Sequence, residues 1–220
     1  MALIVKESPR EPMSEAELTS WRQVPAAVVS DELNRSAAMA AAIKPLAPGM
    51  VFAGEALTVQ TMVGDNAALH YAVANAWPGA VLVVDARGHV DTAVWGGFLT
   101  EAARKRGVVA VVVDGSVRDV AELRRSGLAV FARGAVPGGP HKGWGGSVNT
   151  PVQCGGVAVT PGDLVLGDDD GVVVVARDGR AGLLERCHAR IAKEKGFLDK
   201  IAAGVSTVEL LGLPPADDIG

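Results

Sequence analysis

The sequence predicts a single α/β domain built on a mixed sheet, and three observations carry that expectation. Two unbroken apolar runs, Ala80 to Val84 and Val108 to Val113, have the length and β-branched content of buried strands. Helical patterns flank both runs, and a strand–helix–strand–helix order argues for parallel pairing. Beyond residue 150 the pattern changes to short β segments separated by Gly- and Asp-rich turns, which adds an antiparallel part. With 220 residues, 49% of them hydrophobic, the chain can close one sizeable core. No G-x-G-x-x-G opens a helix after a strand and no P-loop is present, which excludes the dinucleotide-binding and P-loop patterns.

Taken in order, residues 1–13 read as an irregular arm. Ser14 and Glu17 make a capping-box pattern that starts a helix to about Gln23. Pro25 opens a second helix over residues 26–34. Pro45 and Pro48-Gly49 break the chain after an Ala-rich stretch. Met50 to Met62 reads as a strand with Gly54 as a bulge or bend. Gly64-Asp65-Asn66 caps a helix to about Ala76, whose Leu69, Val73 and Trp77 share one face. After the strand ending in Asp85, a polar loop leads to Gly96-Gly97, which opens a helix closed by Arg104, Lys105 and Arg106 as its dipole favours. The Val108 to Val113 strand meets turn chemistry at Asp114-Gly115-Ser116, then Arg118 and a helix over residues 119–126. Leu128 to Ala132 is a strand. Residues 133–150 are a Gly-rich loop of the length usually kept for function. Short strands follow at 151–154, 157–160, 164–166 and 172–176. A helix over residues 178–195, a short one near 198–203 and a frayed tail from about Gly212 close the chain.

The chemistry concentrates where strands end. Arg118 offers a fork of donors for a carboxylate, and Asp119 offers oxygens to a hard divalent cation. The same residues also fit a plain helix N-terminus, with Asp119 as cap, Glu122 three residues on, and Arg118 in a surface ion pair. The amides of Gly96, Gly97, Phe98 and Leu99 at a helix start suit an anion, although Gly96-Gly97 also fits simple packing. The pair Asp65-Asn66 could assist the same site by hydrogen bonding, though such a pair more often caps a helix, and Asp85 is a further candidate supporting residue. His70 reads as a packed or surface histidine. Asp168-Asp169-Asp170-Gly171 lacks the spacing of a calcium loop and reads as a hairpin turn. His141, on the Gly-rich loop, has the residue type of a general base or a phosphate acceptor, though most loop histidines are neither.

Composition narrows the partners. The net charge is -4, from 21 basic and 25 acidic residues, and no long basic run suggests nucleic acid. No run approaches the roughly 20 apolar residues of a membrane span. The start, MALIVKESPREPM, lacks a signal-peptide core. Cys154 and Cys187 lack metal-ligand spacing and read as reduced thiols. A cytoplasmic location is expected.

The segments GDNAALHYAV, PGAVLVVDARG, AVWGGFLTEAARKRG, VVVDGSVRDVAEL, VFARG, VNTPVQCGGVAVTPGD and VLGDDDGVVVV, in this order, resemble the RraA-like family. Within it they resemble the class II aldolases acting on 4-hydroxy-4-methyl-2-oxoglutarate and 4-carboxy-4-hydroxy-2-oxoadipate. The resemblance divides the chain into an arm and helix over 1–23, an RraA-like domain over 24–195, and a C-terminal helix and tail over 196–220. It implies a swivelling β/β/α three-layer sandwich, assembled as a homotrimer or hexamer with sites between subunits. It further implies that Arg118 binds the pyruvyl carboxylate, that Asp119 ligates Mg²⁺ or Mn²⁺, and that Gly96 to Leu99 bind substrate through backbone amides. Glu194, from the adjacent subunit, is implied to complete the water shell of the metal. The implied reaction releases pyruvate through an enolate, without a Lys Schiff base, and oxaloacetate decarboxylation through the same enolate is the expected side activity. One departure stands out: many members carry Asp or Glu where this chain has Gly97. The family also includes protein inhibitors of ribonuclease E, which share the Arg-Asp motif, so a non-catalytic regulator is the alternative. A phosphohistidine carrier would require His141 on a transfer loop. A methyltransferase has no support, for want of a Gly-rich cofactor loop after the first strand.

Overall fold

A computed structural model of the protein describes residues 3–7 and 12–216. The elements run β1 (Leu3–Val5), α1 (Glu15–Arg22), α2 (Ala26–Glu32), β2 (Lys44–Pro45), β3 (Phe52–Thr61), α3 (Ala67–Ala74), β4 (Ala80–Asp85), β5 (Ala93–Trp95), α4 (Gly97–Lys105), β6 (Ala110–Val117), α5 (Val120–Leu123) and β7 (Ala129–Ala135). They continue with β8 (Gly146–Val148), β9 (Val152–Cys154), β10 (Val157–Val159), β11 (Leu164–Asp168), β12 (Gly171–Val175), α6 (Leu183–Ala202) and α7 (Thr207–Leu211).

Among the described residues, ten strands join in one sheet whose main path is β1-β8-β3-β4-β6-β7-β2. Its centre, β3-β4-β6-β7, is parallel throughout. The β11–β12 hairpin adds antiparallel to the first half of β3, β8 pairs antiparallel with its last residues, and β5 runs parallel beside β6. A separate hairpin, β9–β10, lies over the sheet.

Side-chain alternation sorts the strands between layers. Leu82 and Val84 of β4 and Val111 and Val113 of β6 pack with Leu69 and Val73 of α3 and Leu99 and Ala103 of α4. Their neighbours Val81, Val83, Ala110 and Val112 face the other way, onto β9, β10 and the hairpin residues Val165, Val172 and Val174. The far side of that hairpin, with Leu164, Leu166, Val173 and Val175, is covered by α1, α2 and α6. Burial on both faces explains why the central strands are continuous Val and Leu runs instead of alternating ones. The expected mixed α/β domain is the one observed.

Several local expectations change. Residues 3–5, assigned to an irregular arm, form a strand parallel to β8, where Asn149 Nδ2 also donates to the Lys6 carbonyl at 2.9 Å. Gly54 is not a bulge: its pairing with Val165 is in register. A Cβ there would overlap the Gly79 carbonyl and lie 2.8 Å from Val81 Cγ2, so glycine permits close approach of neighbouring chain segments. Asp114-Gly115-Ser116 is not a turn. Strand β6 runs through it to Val117, with a register shift against β7 between Val113 and Ser116. Buried Asp114 can sit inside a strand because Arg133 and the Gly155 N–H, at 2.7 Å, both donate to its carboxylate. The polar stretch before Gly96 and the Gly-rich loop each hold a short strand, β5 and β8. The last two expected helices are one, α6, and α7 follows it with Ser206 as N-cap. The capping box at Ser14 and Glu17 and the hairpin turn at Asp168–Gly171 are as expected.

Candidate active site

The parallel strands β3, β4 and β6 direct their C-terminal ends to one edge, with β5 and the start of α4 beside β6. There a cleft of about 230 Å³ is lined by Asn66, His70, Val94, Trp95, Gly96, Phe98, Leu99, Arg118, Asp119, Pro140 and Lys142. Strand β6 delivers Arg118, whose N–H donates to the Trp95 carbonyl at 2.9 Å and so ties it to β5. Asp119 comes next, with φ of 59° and ψ of 36°. That left-handed conformation is uncommon for a residue with a side chain and marks a position held by its surroundings.

Its side chain does not serve as the expected helix cap. Asp119 stands at the N-cap of α5 but makes no cap bond there. Instead Asp119 Oδ2 accepts the N–H of Gly97 at 3.0 Å and lies 3.6 Å from Arg118 Nε. Carboxylate, guanidinium and the first turn of α4 therefore meet. Both side chains remain substantially exposed, Arg118 by 43% and Asp119 by 41%, so each keeps capacity for a ligand. Gly96 has no room for a side chain, since a Cβ would lie 2.6 Å from Asp119 Oδ2 and 3.0 Å from Arg118 Cγ. Helix geometry leaves the amides of Phe98 and Leu99 without intrahelical acceptors. The carbonyls four residues earlier, of Val94 and Trp95, are taken by Asn66 Nδ2 at 3.0 Å and by the Arg118 N–H.

The opposite wall is built on Asp65 and the Gly-rich loop, joined by bonds that the sequence did not reveal. Asp65 is fully buried and accepts the amides of Ala67 at 2.8 Å, Gly143 at 2.8 Å and Trp144 at 3.1 Å. A backbone bridge between Asp65 and His141 completes the attachment, and His141 itself stacks on Trp144 at 4.7 Å without lining the cleft. The Gly-rich loop is thus fastened over α3 so that Pro140 and Lys142 close one side. His70, read as a packed or surface residue, lines the cleft with its Nε2 buried and without a partner among the described residues. Partial burial, and then the nearby Lys142 cation, push its imidazole below the usual histidine range, against a smaller opposing pull from Asp65. The signal that would have placed His70 is its i+4 spacing from Asn66, which puts both on one face of α3.

Of the expected site residues, the structure brings together Asn66, Gly96, Phe98, Leu99, Arg118 and Asp119, with Gly97 contributing its amide. Asp85 does not join them. It lies in a second cavity of about 630 Å³, with Gln60, Arg87, Asp114 and Arg133, where Gln60 Nε2 donates to it at 3.1 Å. Glu194 is on α6, bonded to Arg190 at 2.9 Å, and within one protomer it is not part of the cleft. Both cysteines are buried and free. Burial, with Asp114 and Asp85 nearby, raises the Cys154 thiol well above its usual range, which removes it as a nucleophile. Among the described residues no helix is long and apolar enough to cross a membrane.

Comparison with known proteins agrees with this architecture. The profile of the RraA-like family, described as Aldolase/RraA, matches residues 26–174. A protein of Halalkalibacterium halodurans provisionally named a 4-hydroxy-4-methyl-2-oxoglutarate aldolase is 35% identical over 198 residues, covering 87% of this chain and 94% of that protein. The structure of the RNA-processing inhibitor RraA from Thermus thermophilis superposes with a TM-score of 0.64 at 33% identity, over 70% of this chain and 93% of the other. A Streptomyces coelicolor protein, described as an unusual member of the RNase ES inhibitor RraA protein family, gives a TM-score of 0.77 at 28% identity, over 86% and 100%. On sequence and on fold alike, the chain belongs to the RraA-like family.

Proposed function

We propose that this protein is a divalent-cation-dependent carbon–carbon lyase that releases pyruvate from a 4-hydroxy-2-oxo acid, with oxaloacetate decarboxylation as a side activity. The named candidates are 4-hydroxy-4-methyl-2-oxoglutarate and 4-carboxy-4-hydroxy-2-oxoadipate. The observation that carries the proposal is the turn of Asp119 away from its own helix to the first amide of α4, beside Arg118.

The residues present fit a hard cation. The donors are oxygens: Asp119, and the buried Oδ1 of Asn66, which has no partner among the described residues. Among those residues no group of three or more His, Cys, Asp or Glu could hold a metal ion. One protein carboxylate, with water and substrate oxygens filling the remaining positions, is a donor set that Mg²⁺ accepts. A cation held by Asp119 would supply Lewis acidity to the 2-oxo group of the substrate. Arg118 clamps the adjacent carboxylate and stays in place as negative charge spreads over the pyruvyl fragment. The amides of Phe98 and Leu99 orient the same fragment. Lys142 adds a second positive charge to a cleft that must take an anion. Glu194 from a neighbouring subunit remains part of the proposal, within a homotrimer or hexamer.

A second reading, a protein-binding regulator of ribonuclease E, is favoured by the inhibitor names of the two solved relatives. One assay separates the two: pyruvate release from oxaloacetate and from both 4-hydroxy-2-oxo acids, with Mg²⁺, with Mn²⁺ and with EDTA. Metal-dependent pyruvate release supports the lyase. Absence of turnover on all three acids, together with ribonuclease E binding, supports the regulator.

A further inference from the structure

Asp85, expected at the cleft and found in the second cavity, belongs to a row of polar side chains that crosses four neighbouring strands at one level. Gln60 of β3 pairs in register with Asp85 of β4, and Asp85 with Asp114 of β6. Arg133 of β7 closes the row by donating through Nε to Asp114. In-register partners of a sheet share a face. Two residues earlier that face is apolar, with Val83, Val112 and Phe131 packed under the β9–β10 hairpin. The hairpin turn ends at the level of the row, where the Gly155 N–H donates to Asp114 at 2.7 Å and Gly156 lines the cavity. Apolar core therefore gives way to charge along one line at the C-terminal ends of the parallel strands. The cavity there, about 630 Å³, is within the range of small-molecule sites, about 300–1,000 Å³.

Around it, groups of both signs keep unused capacity. Asp85 is 5% exposed, and its hydrogen bonds come from uncharged donors, the Gln60 amide at 3.1 Å and the Arg87 N–H at 2.9 Å. Its ion-pair partner among the described residues is Arg87, whose Nε stays 3.9 Å away and whose side chain is 55% exposed. A carboxylate so buried is ordinarily paired closely. Beside it, Gln60 Oε1 has no hydrogen bond among the described residues. The guanidiniums show the converse. Asp114 occupies only Nε of Arg133, and the terminal nitrogens of Arg133 and Arg87 have no acceptor among the described residues. The two cations share one corner of the cavity: Arg133 packs on the turn that carries Arg87, since a Cβ built on Gly88 would lie 3.7 Å from Arg133 Nε. That turn is fixed by the Asp85 carboxylate on the Arg87 N–H and by the Gly88 N–H on the Asp114 carbonyl at 2.9 Å.

We infer that this cavity binds a free α-amino acid, whose carboxylate takes the terminal nitrogens of Arg133 and Arg87 and whose ammonium takes Asp85 and Gln60 Oε1. The charge balance selects the class. Two Arg and two Asp cancel, so the ligand that leaves the site neutral is itself neutral and carries both signs. A phosphate or a dicarboxylate would add negative charge beside two buried carboxylates, and a polyamine would add positive charge beside two guanidiniums. The site shares no lining residue with the Arg118-Asp119 cleft and does not depend on the lyase reading.

The test is isothermal titration calorimetry on the full chain. L-Alanine, L-serine and L-glutamine, each neutral overall, are compared with L-lactate and ethylamine, which each carry one sign only. Asp85→Asn and Arg87→Gln probe the cavity, and Arg118→Ala removes the carboxylate clamp of the other cleft. Saturable binding of at least one amino acid is expected, with lactate and ethylamine weaker by about 10-fold or more. Asp85→Asn and Arg87→Gln are each expected to weaken that amino acid by about 10-fold or more, while Arg118→Ala matches the wild type. Circular dichroism checks folding, and Arg87→Gln, at a half-exposed side chain, carries the test if Asp85→Asn does not fold. No binding of any of the amino acids up to about 10 mM would overturn the inference. So would lactate binding as tightly as the amino acids. Binding that survives Arg87→Gln and is lost in Arg118→Ala would belong to the cleft and overturn it equally.

Discussion

Arg118 and Asp119 are adjacent in sequence, yet each is fixed by a different neighbour: Arg118 by the Trp95 carbonyl and Asp119 by the Gly97 amide. Sequence alone left Asp119 divided between a helix cap and a ligand. The structure shows an αL backbone and no cap bond, with the side chain turned to the Gly97 amide, and no spacing rule predicts αL for a non-glycine residue. Arg118→Ala is expected to remove one charge-assisted clamp, about 2–4 kcal/mol of transition-state stabilisation, or roughly 30- to 1,000-fold in kcat/KM. Steady-state kinetics on the preferred acid, with circular dichroism to check folding, measures it. His70 gives a separate prediction. Its charged form is disfavoured in the folded state, so the unfolded chain binds more protons near the ordinary histidine pKa. The stability His70 contributes is therefore complete above that range and is lost as pH falls through it. NMR titration should find His70 below the ordinary value, and Lys142→Ala should move it upward by removing the nearby cation. An upward shift in the wild type would contradict the assignment.

At the scale of elements, the buried parallel strands were legible because runs such as AVLVV and VVAVVV have no other economical place in a folded chain. What the sequence concealed were strands whose residues look like turns. Asp114, Gly115 and Ser116 lie in β6 because Arg133 and Gly155 satisfy Asp114 from other elements, and Ser116 Oγ donates to the Val90 carbonyl at 2.7 Å. These are tertiary compensations, invisible to any local pattern. Strands β1, β5 and β8 have three residues each, too few to show a period. Gly54 was recognised as special but for the wrong reason. Gly54→Val is expected to destabilise the fold by about 1–3 kcal/mol, or more, through overpacking against the Gly79 carbonyl and Val81. Urea unfolding checks it, and unchanged stability would mean that the strands can separate there without penalty.

For the whole molecule, one mixed sheet between helices on one side and a hairpin layer on the other brings distant stretches of chain to one cleft: residues 66–70, 94–99, 118–119 and 140–142. The first three contained candidates named from sequence. The fourth contained His141, also named from sequence, but Pro140 and Lys142 line the cleft in its place, because Asp65, buried beneath the Gly-rich loop, binds the loop's backbone. Asp85 ends a neighbouring strand but faces the other cavity, since a strand end fixes the edge of the sheet and not the face. Glu194, on α6, is bonded to Arg190 and does not line the cleft. In the proposed function, Asp119 is the residue that would make this cleft a cation-dependent lyase site. The most direct measurement compares pyruvate release from a 4-hydroxy-2-oxo acid by the wild type and by Asp119→Asn, each titrated with Mg²⁺. Asn is chosen because it tolerates the αL backbone. Saturable Mg²⁺-dependent turnover is expected in the wild type, and loss of at least about 100-fold in the variant, with the fold retained. Equal, metal-independent turnover in both proteins would contradict it.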